Sequence, residues 1–207
     1  MSKLKIAVMA SGSGTNLQSI IDNCLDGIID ARIVVLISDN PDAFALVRAQ
    51  RAGIETRTVN PADYPSKDEF NEAMAKVLRF YEADLLILAG YMRLVSKVIL
   101  DCFPQRVINI HPALLPSFTG LKAQKQALEY GVKFSGCTVH FVDEGMDTGR
   151  IIAQAVVPVL PDDTTETLTA RILVEEHKLY PYVVGKFAEN KIITDTSASS
   201  RRVIIAD

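Results

Sequence analysis

The first half of the chain alternates continuous apolar runs with segments whose apolar residues recur at helical spacing. Continuous apolar runs are typical of strands buried on both faces of a sheet. They predict strands at 4–10, 32–38, 54–59, 84–89 and 106–110. The periodic segments predict helices at 17–24, 43–52 and 67–81. Strands that alternate with helices in this way form a mostly parallel sheet with helices on both faces.

The pattern changes after His111, where two prolines and a glycine within 111–120 predict a loop. Beyond the loop, a helix is predicted at 121–130 and strands at 136–142 and 150–159. Apolar and polar residues alternate in the first of these strands, as in an antiparallel strand with one exposed face. The predicted fold class is therefore α/β, with a Rossmann-like open sheet that is mostly parallel and has an antiparallel C-terminal addition.

The last quarter of the chain opens with Asp163-Thr164-Thr165-Glu166, which resembles a helix capping box with Asp in place of Ser or Thr. We expect a long helix from there to about His177 or Tyr180, stopped by Pro181. Two short apolar runs in 191–207 predict a terminal tail, for which a hairpin is one form. Because no internal repeat or linker is found, residues 1–207 are expected to form one domain.

Composition and charge narrow the class of protein. The net charge of −3 gives the chain as a whole no basic footprint for nucleic acid. No apolar stretch approaches the roughly 20 residues of a membrane span, and the N-terminal segment is too short for a secretory signal. We therefore expect a cytoplasmic protein with neither nucleic-acid nor membrane partners, and monomer and homodimer both stay open.

The three cysteines, Cys24, Cys102 and Cys137, are widely spaced among apolar residues. This arrangement favours buried thiols in a reducing compartment. Because the chain has no closely spaced pair of cysteines or histidines of the kind that zinc sites use, we expect no metal.

A glycine loop, Ser11-Gly12-Ser13-Gly14-Thr15-Asn16, separates the first predicted strand from the first helix. Glycines at a helix start expose backbone N–H groups that bind anions. The dinucleotide fingerprint requires a third glycine where Leu17 stands, and the Gly-Lys-Ser/Thr of a P-loop is absent. The loop therefore suits a single phosphate monoester, with a tight turn capped by Thr15 or Asn16 as the alternative.

Asn109 and His111 lie two residues apart at the end of a predicted strand. Residues at this spacing point to the same face, and Pro112 keeps His111 extended. Ligands of open α/β sheets bind beyond the carboxyl ends of the strands. The pair is therefore a candidate site, and a purely structural role for a lone histidine at a strand end is the alternative.

Asp147 lies in a loop rich in carboxylates and glycines between the two antiparallel strands. A carboxylate there is usually a solvated turn residue. If the loop folds over the sheet end, however, the carboxylate pairs with His111 and favours its charged form. The other histidines are weaker candidates. His140 lies on the polar face of its strand, and we expect either a surface residue or a histidine whose hydrogen bonds are satisfied within the fold. Near the end of the last helix, either His177 or its neighbour Glu176 faces the cleft.

Several short motifs follow one another along the chain in a fixed order. They are Asn109-Ile110-His111-Pro112, Leu114-Leu115-Pro116, and Gly136-x-Thr138-x-x-Phe141 followed by Asp147-x-Gly149. Together they resemble the formyltetrahydrofolate-dependent transferase family. Segments 11–18 and 89–94 narrow the resemblance to members that use glycinamide ribonucleotide. The resemblance covers the chain from about residue 4 to about residue 190.

The resemblance implies an activity and a role for each matching residue. The activity is transfer of the formyl group of 10-formyltetrahydrofolate, a cosubstrate, to the amine of 5-phosphoribosylglycinamide in de novo purine biosynthesis. Asn109 and His111 would stabilise the oxyanion, while Asp147 keeps His111 protonated and relays protons. The residues implied for ribonucleotide binding are Gly14, Thr15, Asn16 and Glu176. Those implied for folate binding are Lys67, Tyr91, Met92, Arg93, Leu94, Val95, Asn109, Asp143 and Glu144.

One position departs from the family pattern. The family often has Pro-Gly-Leu-His after the Leu-Leu-Pro motif, where this chain has Thr119-Gly120-Leu121-Lys122. Lys122 thus replaces the histidine that is thought to support the catalytic aspartate, and it either pairs with Asp147 or points to solvent.

Four other functions compete with this interpretation. Formyltetrahydrofolate hydrolase shares the three catalytic residues but passes the formyl group to water, and it usually carries an N-terminal regulatory domain. Methionyl-tRNA formyltransferase needs a C-terminal nucleic-acid-binding domain that the short tail does not supply. A nicotinamide-dependent oxidoreductase would read the ribose with Asp39, but the third glycine is missing. The fourth is a non-catalytic module that binds a nucleotide phosphate.

Overall fold

The main sheet has seven strands in a computed structural model that describes residues 2–195 and 200–206. The strands are β1 (Leu4–Met9), β2 (Ala31–Ser38), β3 (Thr56–Thr58), β4 (Leu85–Leu88), β5 (Val107–His111), β6 (Phe134–Phe141) and β7 (Ile151–Pro158). Their order is β3-β2-β1-β4-β5-β6-β7. The first five are parallel, and β6 and β7 are antiparallel. The predicted fold class is therefore confirmed.

Helices cover both faces of this sheet and enclose two hydrophobic cores. The helices are α1 (Thr15–Leu25), α2 (Phe44–Arg51), α3 (Lys67–Phe80), α4 (Lys97–Leu100), α5 (Ala123–Tyr130) and α6 (Thr165–Ala188). Ile6 and Val8 of β1 face the core of α1, α2 and α6. Ala7 and Met9 face the core of α3 and α4. Because these four successive residues point into opposite cores, all of them are apolar, and they form one continuous apolar run in the sequence.

Helix α6 continues past Pro181, where the sequence predicts its end. An interior proline removes one backbone hydrogen bond and costs about 3 kcal/mol. Here that cost is offset by packing, because Val183, Val184 and Phe187, which follow the predicted stop, are all buried in the core. Burial of each such side chain contributes about 1.5–3 kcal/mol. The prediction of a stop at Pro181 was therefore wrong.

The start of α6 also differs from the prediction by one residue. Thr164 is the N-cap, and its side chain and that of Thr167 form the capping box. Asp163 lies just outside the helix and accepts two hydrogen bonds from the Arg171 guanidinium, at 2.6 and 2.8 Å. These bonds hold the pKa of the Asp163 carboxyl well below its usual value. The aspartate therefore fixes the helix entry through an ion pair instead of capping it.

The tail forms a two-stranded antiparallel hairpin of β8 (Ile192–Thr194) and β9 (Val203–Ile205). Ile192, Val203 and Ile205 pack against the core that contains α6. Arg150, beside the start of β7, donates to the carbonyl of Asp195 at 2.9 Å. The hairpin is thus attached to the antiparallel side of the main sheet. No helix in the described part of the chain is long and apolar enough to cross a membrane.

Candidate active site

A cavity of about 560 Å³ opens at the carboxyl ends of the parallel strands. It lies where the strand order reverses between β1 and β4, the position at which open α/β sheets bind ligands. Its volume is within the range of small-molecule sites. The lining segments are 12–16, 88–95, 109–112, 120–122 and 145–147, with further residues from β6 and α6. The strand ends predicted to form a site therefore meet in one cavity.

The glycine loop turns the chain from β1 into α1 at Gly14. This residue is the N-cap of α1 with φ 71°, a left-handed conformation that favours glycine. A Cβ on Gly14 would lie 2.7 Å from that of Ala45, so the close approach of α2 also requires glycine. No side chain caps α1, which excludes the turn capped by Thr15 or Asn16. The helix start therefore keeps its N–H groups for an anion.

Donors from α2 and its preceding loop fix the backbone of this glycine loop. Arg48 Nε donates to the carbonyl of Ser13 at 2.8 Å, and the Ala45 N–H donates to that of Gly12 at 3.1 Å. Asn40 Nδ2 donates to the carbonyl of Ser11 at 3.2 Å. Three successive carbonyl groups are thus held by the protein. The loop is preorganised before any ligand binds.

Asn16 and Glu176 join the glycine loop to α6. Asn16 Nδ2 donates to Glu176 Oε2 at 2.7 Å. Burial raises the pKa of the Glu176 carboxyl, and the bond from Asn16 opposes that shift. The oxygen of the same amide, Asn16 Oδ1, is buried and has no partner among the described residues. It is an acceptor that a hydroxyl or amine of a ligand can satisfy.

Asn109 and His111 lie on the same face of β5, as their spacing predicts. His111 is buried, and its Nε2 lies 2.8 Å from the carbonyl oxygen of Phe118. Its Nδ1 lies 3.4 Å from Asp147 Oδ2. Both ring nitrogens therefore face acceptors, and only the imidazolium form carries a hydrogen on each of them. The distance to Asp147 is longer than an ordinary hydrogen bond.

Asp147 reaches the site because its loop folds over the end of the sheet. The residue has φ 55°, and its Oδ2 accepts a hydrogen bond of 2.8 Å from the backbone N–H of Gly120. In the described part of the chain, no ion pair joins Lys122 to Asp147. Lys122 lines the cavity instead. The family pattern has a histidine at position 122 that is thought to support the aspartate. In this chain the backbone N–H of Gly120, two residues earlier, holds Asp147 instead.

His140 completes the cluster. The sequence leaves two roles open for it, a surface residue or a histidine satisfied within the fold, and the structure shows the second. It is buried and pairs with Asn109 across the β5–β6 ladder. Its Nδ1 lies 2.8 Å from the Phe141 carbonyl, and its Nε2 lies 3.3 Å from Asn109 Nδ2 and 3.6 Å from Asp147 Oδ1. Burial lowers the pKa of His140, which favours the neutral ring. Nδ1–H then donates to the carbonyl, and Nε2 accepts from the Asn109 amide.

The segment after β4 forms the opposite wall of the cavity. Its lining residues are Tyr91, Met92, Arg93, Leu94 and Val95. Arg93 Nε donates to Asp39 Oδ2 at 2.8 Å, and the guanidinium lies over the Phe70 ring at 5.7 Å. Burial, and then the Asp39 charge, raises the pKa of Tyr91. Asp39 is thus engaged by Arg93 and does not line the cavity, unlike the ribose-reading aspartate of the nicotinamide alternative.

Two residues that the resemblance assigns to folate lie outside the cavity lining. Lys67 is the first residue of α3, one turn before Phe70. Glu144 is exposed in the loop before Asp147. Asp143 does line the cavity, although its Oδ1 also accepts from Thr148 Oγ1 at 2.6 Å. All the other predicted site residues line the same cavity. Among the described residues, no group of three or more His, Cys, Asp or Glu is placed to hold a metal ion.

A glycine loop at a helix start and a cluster of Asn, His and Asp share one cavity of this α/β fold, an arrangement that suits an enzyme of the group-transfer class. The chain belongs to the formyl transferase family, whose sequence profile matches residues 4–184. It is 44% identical over 180 residues to the phosphoribosylglycinamide formyltransferase of Bacillus subtilis. The match covers 87% of this chain and 92% of the relative. The family resemblance drawn from the motifs is confirmed.

A longer relative and a solved structure extend the comparison. The chain is 43% identical over 199 residues to the trifunctional purine biosynthetic protein adenosine-3 of Drosophila melanogaster, of whose length it spans 15%. The structure of glycinamide ribonucleotide transformylase 1 from Symbiobacterium toebii superposes with a TM-score of 0.95. It is 53% identical, and the match covers 100% of this chain and 95% of that one.

Proposed function

We propose that this chain transfers the formyl group of 10-formyltetrahydrofolate to the amine of 5-phosphoribosylglycinamide. The products are formylglycinamide ribonucleotide and tetrahydrofolate, in de novo purine biosynthesis. The observation that carries the proposal is that the open start of α1 and the cluster of Asn109, His111 and Asp147 line one cavity. A phosphorylated amine and a formyl donor can therefore meet in it.

The ribonucleotide is assigned to the end of the cavity formed by the glycine loop. Gly14, Thr15 and Asn16 bind its 5′-phosphate through the N–H groups of the α1 start. Glu176 lies beside them through its bond to Asn16 and binds the ribose hydroxyls or the glycinamide end. This arrangement directs the amine away from the phosphate loop and towards the strand end that carries His111.

The folate is assigned to the wall formed by 91–95, with the loop of Asp143 closing over the pterin. Tyr91, Met92, Leu94 and Val95 supply apolar surface there, and Arg93 is held in place by Asp39. Lys67 and Glu144 lie outside the lining, so we assign them to the outer part of the folate, where a longer ligand extends beyond the cavity. Asn109 contacts both the folate and the reacting formyl group.

The chemistry requires a stabilised oxyanion and the movement of one proton. The substrate amine attacks the formyl carbon, and the C–N bond to the folate nitrogen breaks when the tetrahedral intermediate collapses. Asn109 Nδ2–H and His111 Nδ1–H donate to the oxyanion, and one such donor supplies about 2.7–4 kcal/mol. Nδ1–H is available because its distance to Asp147 exceeds that of an ordinary hydrogen bond. Asp147 lies beside His111 Nδ1 and relays the proton from the attacking nitrogen to the leaving nitrogen through water.

The proposed reaction also implies a domain organisation, a compartment and an oligomeric state for the protein. We place residues 1–207 in one formyltransferase domain that works in the cytoplasm on small molecules, as a monomer or a homodimer. The reaction as assigned uses side-chain and backbone donors, with no step that calls for a metal, a nucleic acid or a membrane.

Mixing the folate with the ribonucleotide tests the proposal directly. The release of tetrahydrofolate is measured by absorbance, and we expect it only when the ribonucleotide is present. Release at the same rate without it would identify a formyltetrahydrofolate hydrolase, and no release with both substrates would reject the proposal. His111→Ala is expected to remove the activity. His177→Ala is the matched control, because His177 does not line the cavity.

A further inference from the structure

The tail hairpin contacts the loop that carries Asp147. The guanidinium of Arg201, two residues before β9, donates to the backbone carbonyl of Thr148, the residue after Asp147. On the same side, Arg150 donates to the carbonyl of Asp195 at 2.9 Å. Two arginine–carbonyl bonds, running in opposite directions between tail and loop, thus join the hairpin to the chain on both sides of Gly149.

The carbonyl that Arg201 holds belongs to the peptide between Thr148 and Gly149. Gly149 packs closely against the end of β6, because a Cβ there would lie 1.6 Å from the Phe141 carbonyl oxygen. Arg201 holds the same peptide through its carbonyl oxygen. Asp147 therefore precedes a peptide that lies against β6 and is bonded to the tail.

The turn before Asp147 is closed by its own residues. Thr148 Oγ1 donates to Asp143 Oδ1 at 2.6 Å, and the Gly145 N–H donates to the same oxygen at 3.1 Å. Residues 143–146 and Thr148 are nevertheless exposed. Exposed loops with few buried contacts open at low free-energy cost. A tether on Thr148 is thus well placed to keep the Asp147 carboxylate beside His111.

We infer that Arg201 is a positioning residue for Asp147, so that the tail hairpin takes part in catalysis although it lies outside the family match at 4–184. The inference rests on the proposed function, because it assigns Arg201 to the formyl-transfer step. Arg201 orients the carboxylate through the Thr148 peptide and does not touch either substrate. Its loss therefore affects the reaction step and leaves substrate binding intact.

Arg201→Ala and Arg202→Ala form a matched pair of variants. Both arginines are exposed and adjacent, but Arg202 joins the hairpin through its backbone, accepting from the Asp195 N–H at 3.2 Å. We expect Arg201→Ala to lower kcat about three- to tenfold, the range for loss of one charged hydrogen bond at an exposed position. The KM of the ribonucleotide should stay within about twofold. Arg201→Lys, which keeps a donor, should recover part of kcat.

The outcomes separate this inference from the proposed function. If wild-type protein releases no tetrahydrofolate with both substrates, the proposed function fails. If wild-type protein is active and the two alanine variants have equal kcat, only the positioning role of Arg201 is wrong. The role is also wrong if Arg201→Ala loses activity only in proportion to a loss of folded protein, measured by its melting temperature. A fall in kcat with unchanged melting temperature and KM supports it.

Discussion

The carboxylate of Asp147 lies 3.4 Å from Nδ1 of His111, while the opposite ring nitrogen lies 2.8 Å from the Phe118 carbonyl. The carbonyl fixes the ring orientation, and the carboxylate places a negative charge beside Nδ1. In the proposed reaction, His111 then donates to the formyl oxygen as it becomes an oxyanion. This pairing makes the cluster suited to acyl transfer without a covalent intermediate.

Replacing either member of this pair should affect the reaction step. We expect His111→Ala and Asp147→Asn each to lower kcat about 10²–10³-fold, as for loss of an oxyanion donor, with KM changed only a few-fold. Steady-state kinetics with both substrates measures the two constants separately. A variant that raised KM and kept kcat would show that the residue binds substrate in the ground state. Normal turnover by His111→Ala would exclude the assignment.

Much of the fold could be predicted because each parallel strand is buried on both faces. Runs such as 84–89 have no polar residue after Asp84, and the alternation with helices then sets the class. Helix α4 was not predicted, because its four residues are too few to show a period. The end of α6 was missed for a different reason. Local propensity disfavours Pro181 within a helix, whereas the burial of Val184 and Phe187 depends on contacts distant in sequence.

The sequence predicts those parts of the site in which the residues are close together along the chain. Asn109 and His111 are two residues apart on one strand, so their convergence follows from strand geometry. His140 was missed because β6 is an inner strand of the sheet, buried at Val139 and His140 alike. Its alternation therefore does not mark an exposed face. Only the pairing of β5 with β6, which places His140 opposite Asn109, reveals its role.

His140 should act by orienting Asn109. Burial lowers the pKa of this histidine, so its neutral ring accepts from the Asn109 amide at neutral pH. We expect His140→Phe to lower kcat about tenfold, the effect of losing one buried hydrogen bond and its partner's alignment. His177→Phe controls for the loss of a histidine elsewhere. Equal kinetics for the two variants would mean that Asn109 is oriented without His140.

His140 also makes a pH-dependent contribution to stability. Because its pKa is lowered in the folded state, the unfolded chain binds a proton first as the pH falls. Stability is thus present above the unfolded value of about 6.5 and is lost as the pH falls towards the folded value. Melting temperatures between pH 8 and pH 5 should decline less steeply for His140→Phe than for wild type. A steeper decline in the variant would contradict the shift.

Glu176 should show the opposite pH dependence together with a binding defect. Burial raises its pKa, so its stabilising contribution is complete below about 4.5, the unfolded value, and is lost as the pH rises through the folded value. Glu176→Gln does not ionise, and it should melt higher than wild type at pH 8 but not at pH 4. The KM of the ribonucleotide should rise about tenfold or more, as for loss of a charged hydrogen bond. A variant with unchanged KM would remove Glu176 from the ribonucleotide site.

The phosphate loop can be tested with two glycines that share a conformation but not a neighbour. Gly14 and Gly27 have φ 71° and 72°. A Cβ on Gly14 would meet Ala45, whereas one on Gly27 would meet nothing within 4 Å. Both Gly→Ala changes carry the left-handed strain of about 1–2 kcal/mol. Only Gly14→Ala should also distort the start of α1 and raise the KM of the ribonucleotide, about tenfold or more, with the KM of the folate unchanged. If Gly14→Ala raised both KM values equally, or if Gly27→Ala matched it, the loop would not be a phosphate site.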